Sequence, residues 1–432
     1  MVLYLRSLFY KSLNKNQVFP DYQIFEFANG IRLIHKQVAA TKISHCGFIL
    51  DVGSRDEQTN ELGIAHFWEH MAFKGTENRK SFHIINRLEI LGGEINAYTT
   101  KEKIAFHASV LSSHFEKAVD LLADITFYSI FPEKEIEKEK GVILEEMMMY
   151  RDTPDDAIQD DFDLLLFPNH PLGNNILGTE ESVQSFNRSD FLSFFKRNVG
   201  NERIIFSSVG PMDFNTVVKK ARPFLEKIPS LSIQKNRISP QPTFFQDMIE
   251  YKPISQAHLM LGCQSFSLNH EKRITLFLLN NVLGGPALTS RLNFTIREKN
   301  GLVYSVESSY APYLDSGAFS IYLGTEMKNL EKAENLVKKE IHNLQNNLLS
   351  KQQLKNAKEQ IKGQLAMAEE GNLMMMLMLG KSILDMGRVE SLAEIFTNID
   401  KITSADLLEV ANLAWGHENW VRLAFVPEIR KK

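Results

Sequence analysis

The apolar positions of the chain form strands and helices in an order that occurs twice. Residues 43–53 and 255–265 are strand-like apolar runs, and a long helical stretch follows each of them. Two charged segments with helical spacing, 132–152 and 350–370, come later at similar distances from these runs. The pattern therefore predicts a tandem repeat of about 210 residues, and hence two homologous domains.

The interval between the two repeats lacks apolar periodicity. Residues 229–244 are rich in Ser, Pro and Gln, which is typical of a linker. We therefore predict an N-terminal domain over 1–228, a linker over 229–244 and a C-terminal domain over 245–432. Short strands between long helices indicate the α+β class: two α/β-sandwich-like domains, each with a mixed or antiparallel sheet covered by helices on one face.

Composition restricts the class of protein. The net charge is −4, and no basic run is interleaved with aromatic residues, so nucleic-acid binding is not indicated. The chain has two cysteines, Cys46 and Cys263, which suits a reducing compartment, and no apolar run approaches the length of a membrane span. We expect a bacterial cytoplasmic protein. Because residues 1–20 contain no acidic residue, targeting to an organellar matrix or the periplasm is the alternative.

One apolar helix carries polar groups that require an explanation. Within residues 63–75, His66, Glu69 and His70 have the i, i+3, i+4 spacing that places side chains on one face of a helix. His-x-x-Glu-His is the inverted form of the zincin helix motif. Two imidazoles at this spacing can bind one Zn²⁺, and the glutamate between them can contact water at the metal. The alternative is a pair of helix histidines with ordinary hydrogen bonds.

A second helix supplies candidates for a third ligand. Within 132–152, Glu139 and Glu146 follow the apolar stripe, whereas Glu145 lies about 100° around the helix, on the solvent side. A buried carboxylate is costly without a cation or hydrogen-bond donors. Glu146 is therefore predicted as the ligand and Glu139 as a group that positions the site. For Glu139, a partly solvated position on a charged helix is the alternative.

The segment AHFWEHMAFKGT, with Glu146 on the following charged helix, resembles the pitrilysin-type inverzincin metallopeptidases, and in particular their shorter two-domain members, which include mitochondrial processing peptidase subunits. The resemblance extends over nearly the whole chain. It implies one Zn²⁺ per chain, bound by His66, His70 and Glu146, with Glu69 as the general base.

The same resemblance implies how a peptide is bound. The family's edge strand matches Asn96, Ala97, Tyr98 and Thr99, whose backbone pairs with an extended substrate. Phe73 matches an apolar subsite residue near the zinc, and an ordinary core role is its alternative.

In the second half, Arg297 and Tyr304 match the family's arginine–tyrosine pair, which holds the substrate carbonyl and the developing oxyanion. Judged by its spacing alone, Arg297 is a charge on a helix surface. The matches together imply a zinc-dependent endopeptidase that cleaves peptides or unfolded segments, with Glu69 activating water at the zinc. Two alternatives remain, namely a non-catalytic structural or partner subunit of the same family, and a zinc hydrolase with a non-peptide substrate.

The resemblance also leads to an expected assembly. In the long single-chain relatives, four such domains form a closed shell. A chain of two domains can form the same shell by dimerising, and this chain contains both the metal motif and the arginine–tyrosine pair. We therefore expect a two-fold homodimer with an enclosed chamber, no nucleic-acid partner and no membrane span.

Overall fold

The chain is described by a computed structural model that covers residues 22–234, 237–416 and 420–428. Contacts group these residues into two compact units, each of which includes a segment from the other half of the sequence. The first unit contains 22–144, 176–234 and 368–391; the second contains 145–175, 237–367, 392–416 and 420–428. The domain boundaries predicted near residues 228 and 245 stay a prediction.

The first unit is built on a mixed sheet, in which the described residues form six strands. These strands are β1 (Gln23–Glu26), β2 (Arg32–Gln37), β3 (Ile43–Leu50), β4 (Glu94–Thr99), β5 (Ile104–Leu111) and β6 (Ile204–Gly210). Their order is β1-β2-β6-β3-β5-β4, with β2 and β6 parallel and the other neighbours antiparallel. Strand β4 is therefore an edge strand, and among the described residues it pairs with β5 alone.

The second unit contains a sheet of five strands, counted over the described residues. They are β7 (Gln246–Lys252), β8 (Ala257–Gln264), β9 (Val303–Pro312), β10 (Gly317–Thr325) and β11 (Val421–Pro427). The order β7-β11-β8-β10-β9 repeats the order β2-β6-β3-β5-β4, and the parallel pair, β7 with β11, has the same place in both. The predicted tandem repeat and α+β class are confirmed.

Fourteen α-helices lie in the described parts of the chain. They are α1 (Ile64–Met71), α2 (Ser81–Glu89), α3 (Phe115–Phe127), α4 (Glu133–Arg151), α5 (Pro154–Leu166), α6 (Glu180–Ser185), α7 (Arg188–Asn198), α8 (Phe214–Leu225), α9 (Arg273–Gly284), α10 (Leu330–Asn346), α11 (Lys351–Glu369), α12 (Asn372–Met386), α13 (Leu392–Lys401) and α14 (Ser404–Ala414). A π-helical segment, Asn293–Glu298, precedes β9. Within the described residues, no helix has both the length and the apolar character needed to cross a membrane.

Helices cover the first sheet on both faces. On one face Phe48 of β3 contacts Phe127 of α3, with the ring centroids 5.1 Å apart. The next residue of the strand, Ile49, points to the opposite face, where it joins a buried cluster with Met375 and Met376 of α12. The expectation of helices on one face is therefore wrong for this sheet. Consecutive apolar residues along a strand require an apolar layer on each side.

The second sheet is also covered on both faces. Helix α5 packs on one face through Ile158 and Phe162, which join a buried cluster with Met260 of β8. The neighbouring Leu261 faces the other way, into a larger core that includes residues of α9, α10 and α14. Both sheets therefore have two buried faces, and each supports the helices of its own unit.

Candidate metal centre

The orientation of helix α1 is set at its first residues. The carboxylate of buried Glu57 accepts hydrogen bonds from the backbone N–H groups of Gly63 (3.0 Å) and Ala65 (2.9 Å). Gly63 has a φ of 91°, and the carbonyl oxygen of Leu177 lies 2.4 Å from the position of a Cβ. Glycine is therefore required at this turn. The apolar residues of α1 face the core, so its polar residues share the remaining face.

Helices α1 and α4 bring the three predicted ligands together. One nitrogen each of His66 and His70 and a carboxylate oxygen of Glu146 all lie within 4.8 Å of one another. His66 is buried, and the other two residues are half-buried. In the described part of the chain, no other group of three such residues lies this close. Two imidazole nitrogens with one carboxylate oxygen form a common ligand set of catalytic zinc sites, so these residues fit a zinc ion.

The protonation state of His66 suits metal binding. Burial, with a smaller contribution from the neighbouring His70, lowers the pKa of His66 to about 3. Its imidazole is therefore neutral at physiological pH, and the neutral form is the one that binds metal ions.

Glu139 is buried on α4 and contacts His70 rather than joining the ligand group. Its Oε1 lies 3.0 Å from Nδ1 of His70, and its Oε2 forms an ion pair of 2.6 Å with Nζ of Lys74. Burial pushes the pKa of Glu139 upwards, but the hydrogen bonds from His70 and Lys74 hold it below its usual value. A carboxylate at Nδ1 leaves Nε2 of a histidine for a metal ion, and this is the contact expected of a residue that orients a ligand. The positioning role of Glu139 stays a prediction.

The two adjacent glutamates near the end of α4 differ in exposure. Glu145 is exposed, whereas Glu146 is half-buried and one helical turn beyond the buried Ile143. Helical spacing therefore places Glu146, and not Glu145, on the face that carries Glu139. The metal-binding role of Glu146 stays a prediction.

The third polar residue of α1, Glu69, contacts the edge strand of the first sheet. The hydroxyl of Thr99 donates a hydrogen bond of 2.6 Å to Oε2 of Glu69. On the same strand Asn96 is exposed and Ala97 is half-buried. The ring of Tyr98 lies 5.2 Å from Nζ of Lys381, on α12. Because side chains alternate along a strand, Thr99 and Ala97 share the face that is directed towards α1.

The remaining predicted site residues lie elsewhere. Phe73 is half-buried, two residues after the end of α1. Arg297 belongs to the π-helical segment and pairs with Glu298 at 3.0 Å, and Tyr304 lies on edge strand β9 with 61% of its surface exposed. Both are in the second unit. The roles of all three in substrate binding or catalysis stay predictions.

Sequence reasoning did not identify the side-chain contacts of Thr99 and Lys74. The edge-strand prediction concerns only the backbone of Thr99, although strand alternation places its side chain on the same face as that of Ala97. Lys74 follows His70 by one helical turn in sequence, and this spacing was the available signal. Neither signal identifies the carboxylate that is contacted, because Glu69 is distant in sequence from Thr99, and Glu139 is distant in sequence from Lys74.

Comparison with known proteins gives two family matches and relatives that are similar over most of both chains. Residues 32–180 match "Insulinase (Peptidase family M16)", and residues 185–361 match "Peptidase M16 inactive domain". The "uncharacterized zinc protease YmxG" of Bacillus subtilis is 35% identical over 390 residues, which cover 89% of this chain and 93% of that protein. An "uncharacterized zinc protease" of Rickettsia bellii is 34% identical over 392 residues, which cover 91% and 94%.

Solved structures share the fold at lower sequence identity. The crystal structure of a protease from Helicobacter pylori has a TM-score of 0.87 and 19% identity, over 95% of this chain and all of that one. The structure of a peptidase M16 inactive domain from Pseudomonas fluorescens has a TM-score of 0.86, also at 19% identity, over 95% of this chain and 99% of that one.

Proposed function

Because the chain belongs to the M16 (insulinase) family of peptidases, we propose that it is a zinc-dependent endopeptidase with one metal centre, formed by His66, His70 and Glu146. The observation that carries the proposal is the convergence of these three side chains, with Glu69 on the same helix as the histidines. The match of residues 185–361 to an inactive domain agrees with a single centre per chain. A non-catalytic subunit does not need this ligand set, so the set favours an enzyme.

The residues around the centre have distinct tasks in this proposal. Zinc supplies Lewis acidity towards the scissile carbonyl when it is bound. Glu69 accepts a proton from the attacking water as the water oxygen bonds to the carbonyl carbon. It then donates that proton to the leaving amine nitrogen as the C–N bond breaks. Glu139 keeps the His70 ring in its binding orientation.

The substrate in this proposal is an extended peptide or an unfolded segment. Strand β4 pairs on one side with β5, so the other edge of its backbone can form hydrogen bonds with an added strand. Backbone pairing is independent of side-chain identity, and it therefore suits broad sequence tolerance. Asn96, Ala97 and Tyr98 form this edge, and Phe73 contributes an apolar subsite.

The active particle in this proposal is a two-fold homodimer that encloses a chamber. Each metal centre uses the arginine–tyrosine pair of the opposite chain, with the partner subunit's Tyr304 and the partner subunit's Arg297 holding the oxyanion. Because one chain carries both sets of residues, two identical chains can form two complete sites. The chamber admits flexible peptides and excludes folded proteins by size.

Metal content and peptide cleavage test the enzymatic proposal together. The purified protein is expected to contain about one zinc ion per chain and to cleave members of a mixed peptide library. Chelation should abolish cleavage, and added zinc should restore it. Glu146→Gln should lose zinc, whereas the matched variant of the exposed neighbour, Glu145→Gln, should retain it. A zinc-loaded protein that cleaves no library peptide would contradict the proposal.

Subunit mixing tests the homodimer. Glu69→Gln and Tyr304→Phe chains are each expected to be inactive alone. After subunit exchange, a mixed dimer has one site with both residues intact, so activity should return. If exchange is demonstrated by mass and no activity returns, the two residues act within one chain and the shared site is excluded.

A further inference from the structure

The hydrogen bond between Thr99 and Glu69 connects the edge strand to the proposed general base. We infer that Thr99 is a positioning residue, whose hydroxyl holds the Glu69 carboxylate in its reactive orientation. This inference rests on the proposed function, because it assigns a task to Thr99 only if Glu69 transfers protons. The Oγ1–Oε2 distance of 2.6 Å is that of a hydrogen bond between a hydroxyl and an ionised carboxylate.

The carboxylate needs such a partner because of its own flexibility. The terminal torsion of a glutamate has a broad energy profile, so the helix backbone alone does not fix the plane of its oxygens. A hydrogen bond to Oε2 fixes that plane and thereby the direction of Oε1. Both residues are half-buried, which strengthens the hydrogen bond relative to one in water.

Thr99 itself is held by the sheet and by the turn that follows it. It is paired with Ile104 of β5 as the last residue of β4. In the turn, the N–H of Thr100 donates to the carbonyl of Lys103 at 2.8 Å, and the Thr100 hydroxyl accepts from the Lys103 N–H at 2.9 Å. The two hydrogen bonds between Thr100 and Lys103 therefore fix the turn directly after Thr99.

The turn is also fixed to the strand-to-helix segment before α1. The N–H of Ser54 donates to the carbonyl of Thr100 at 3.2 Å, and that of Arg55 donates to the carbonyl of Lys101 at 2.8 Å. Gly53 permits this approach, since a Cβ there would lie 2.4 Å from the Thr100 carbonyl oxygen. Backbone hydrogen bonds therefore connect the turn that follows Thr99 to the segment that leads into α1, the helix that carries Glu69.

Buried ion pairs fix the same turn through its side chains. Glu102 pairs with Arg55 at 2.7 Å, and Lys103 pairs with Asp51 at 3.2 Å and with Asp385 of α12 at 2.6 Å. All three turn residues from Lys101 to Lys103 are buried. Buried ion pairs often stabilise a fold less than apolar residues of the same size would. Here they fix the turn in one conformation, which is what a positioning residue requires.

Variants of Thr99 provide the test. Thr99→Val keeps the shape of the side chain and removes the hydroxyl, and we expect kcat to fall by about 10- to 100-fold. Zinc content and KM should stay within about twofold of the wild type. Thr99→Ser restores the hydroxyl and should recover most of kcat. The control is Thr126→Val on α3, because Thr126 is buried and its hydroxyl has no hydrogen-bond partner among the described residues.

A double variant separates positioning of Glu69 from a general structural effect. If Thr99 acts through Glu69, adding Thr99→Val to Glu69→Gln should leave the residual kcat of Glu69→Gln unchanged. The dissociation constant for an uncleaved peptide should also be the same in the single and double variants. Multiplicative losses of kcat, or a peptide affinity that falls with kcat, would overturn the inference.

The outcomes distinguish this inference from the proposed function. If the wild type cleaves peptides and Thr99→Val retains its kcat, or Thr99→Ser does not recover it, the inference is wrong and the proposed function stands. If the zinc-loaded wild type cleaves nothing, the proposed function itself fails. Should Thr99→Val not fold, Thr99→Ala takes its place with the same expected loss, measured against Thr99→Ser.

Discussion

Replacing Glu139 with glutamine tests whether this residue acts on the metal centre through His70. Glutamine has nearly the same shape, and its amide oxygen can still accept the hydrogen bond from Nδ1 of His70. The substitution removes the negative charge, so the charge-assisted part of that bond is lost, as is the 2.6 Å ion pair with Lys74. The three predicted ligands are left unchanged.

The structure sets the expected size of the effect. Replacing the partner of a ligating histidine typically lowers metal affinity 10- to 100-fold, which is about 1.4–2.7 kcal/mol of binding free energy. Glu139 has only 5% of its surface exposed, so water cannot replace the lost charge well. We therefore expect the upper part of this range, with one zinc ion still bound at high zinc concentration.

Competition with a chelator of known affinity measures the zinc dissociation constant. Glu137→Gln is the matched control, because Glu137 lies on the exposed side of α4 and pairs only with Lys140 among its described ion pairs. A dissociation constant within twofold of the wild type would refute the role of Glu139. Complete loss of zinc, as expected for His70→Ala, would also refute the positioning role, because it would indicate that Glu139 itself binds the metal.

Three further predictions concern the base, the buried ion pairs and the packing of α12. Glu69→Gln should retain zinc while kcat falls by about 10²- to 10⁴-fold, and near-normal turnover would remove Glu69 from the mechanism. Lys103→Met removes a buried cation that pairs with buried Asp51 and half-buried Asp385. Because Asp51 keeps its ion pair with Arg203, we expect the free energy of unfolding in urea to fall by about 1–3 kcal/mol, unlike Lys138→Met at an exposed position of α4. Gly380→Ala places a Cβ 2.6 Å from a side-chain atom of β3 and should lower stability by about 1–3 kcal/mol. Gly363→Ala on α11, where a Cβ meets no atom within 4 Å, should not, and equal melting temperatures for the two would contradict the packing argument.

Helical spacing was sufficient to predict which residues of α1 and α4 share a face. His66, Glu69 and His70 are neighbours within two turns, so their common face depends only on local geometry. The same argument separated Glu146 from Glu145, in agreement with their different exposure. The tandem repeat was also predictable, because each half carries its own apolar pattern.

Contacts between residues that are distant in sequence were not predictable in this way. The hydroxyl of Thr99 reaches Glu69 only because β4 lies at the edge of the sheet beside α1, and no local pattern specifies that neighbour. The partners of Lys103 present the same difficulty, since Asp51 and Asp385 come from opposite ends of the chain. Spacing predicts which way a side chain points, and tertiary structure decides what it meets.

The sequence was sufficient to predict that helices cover the first sheet on its second face, but it did not show which helix forms that layer. Strand β3 has apolar residues at successive positions, Phe48, Ile49 and Leu50, so both faces of the sheet had to be buried. Two helices rich in apolar residues, α9 and α12, could have supplied that layer. Gly380 provides the distinguishing feature, because its missing side chain allows α12 to approach Ile49 and Ser207 of the sheet. A glycine in the middle of an apolar helix is unfavourable unless another backbone or a tightly packed side chain lies against it. Gly380 therefore indicates that α12 packs closely against another element, whereas only the tertiary structure shows that this element is the first sheet.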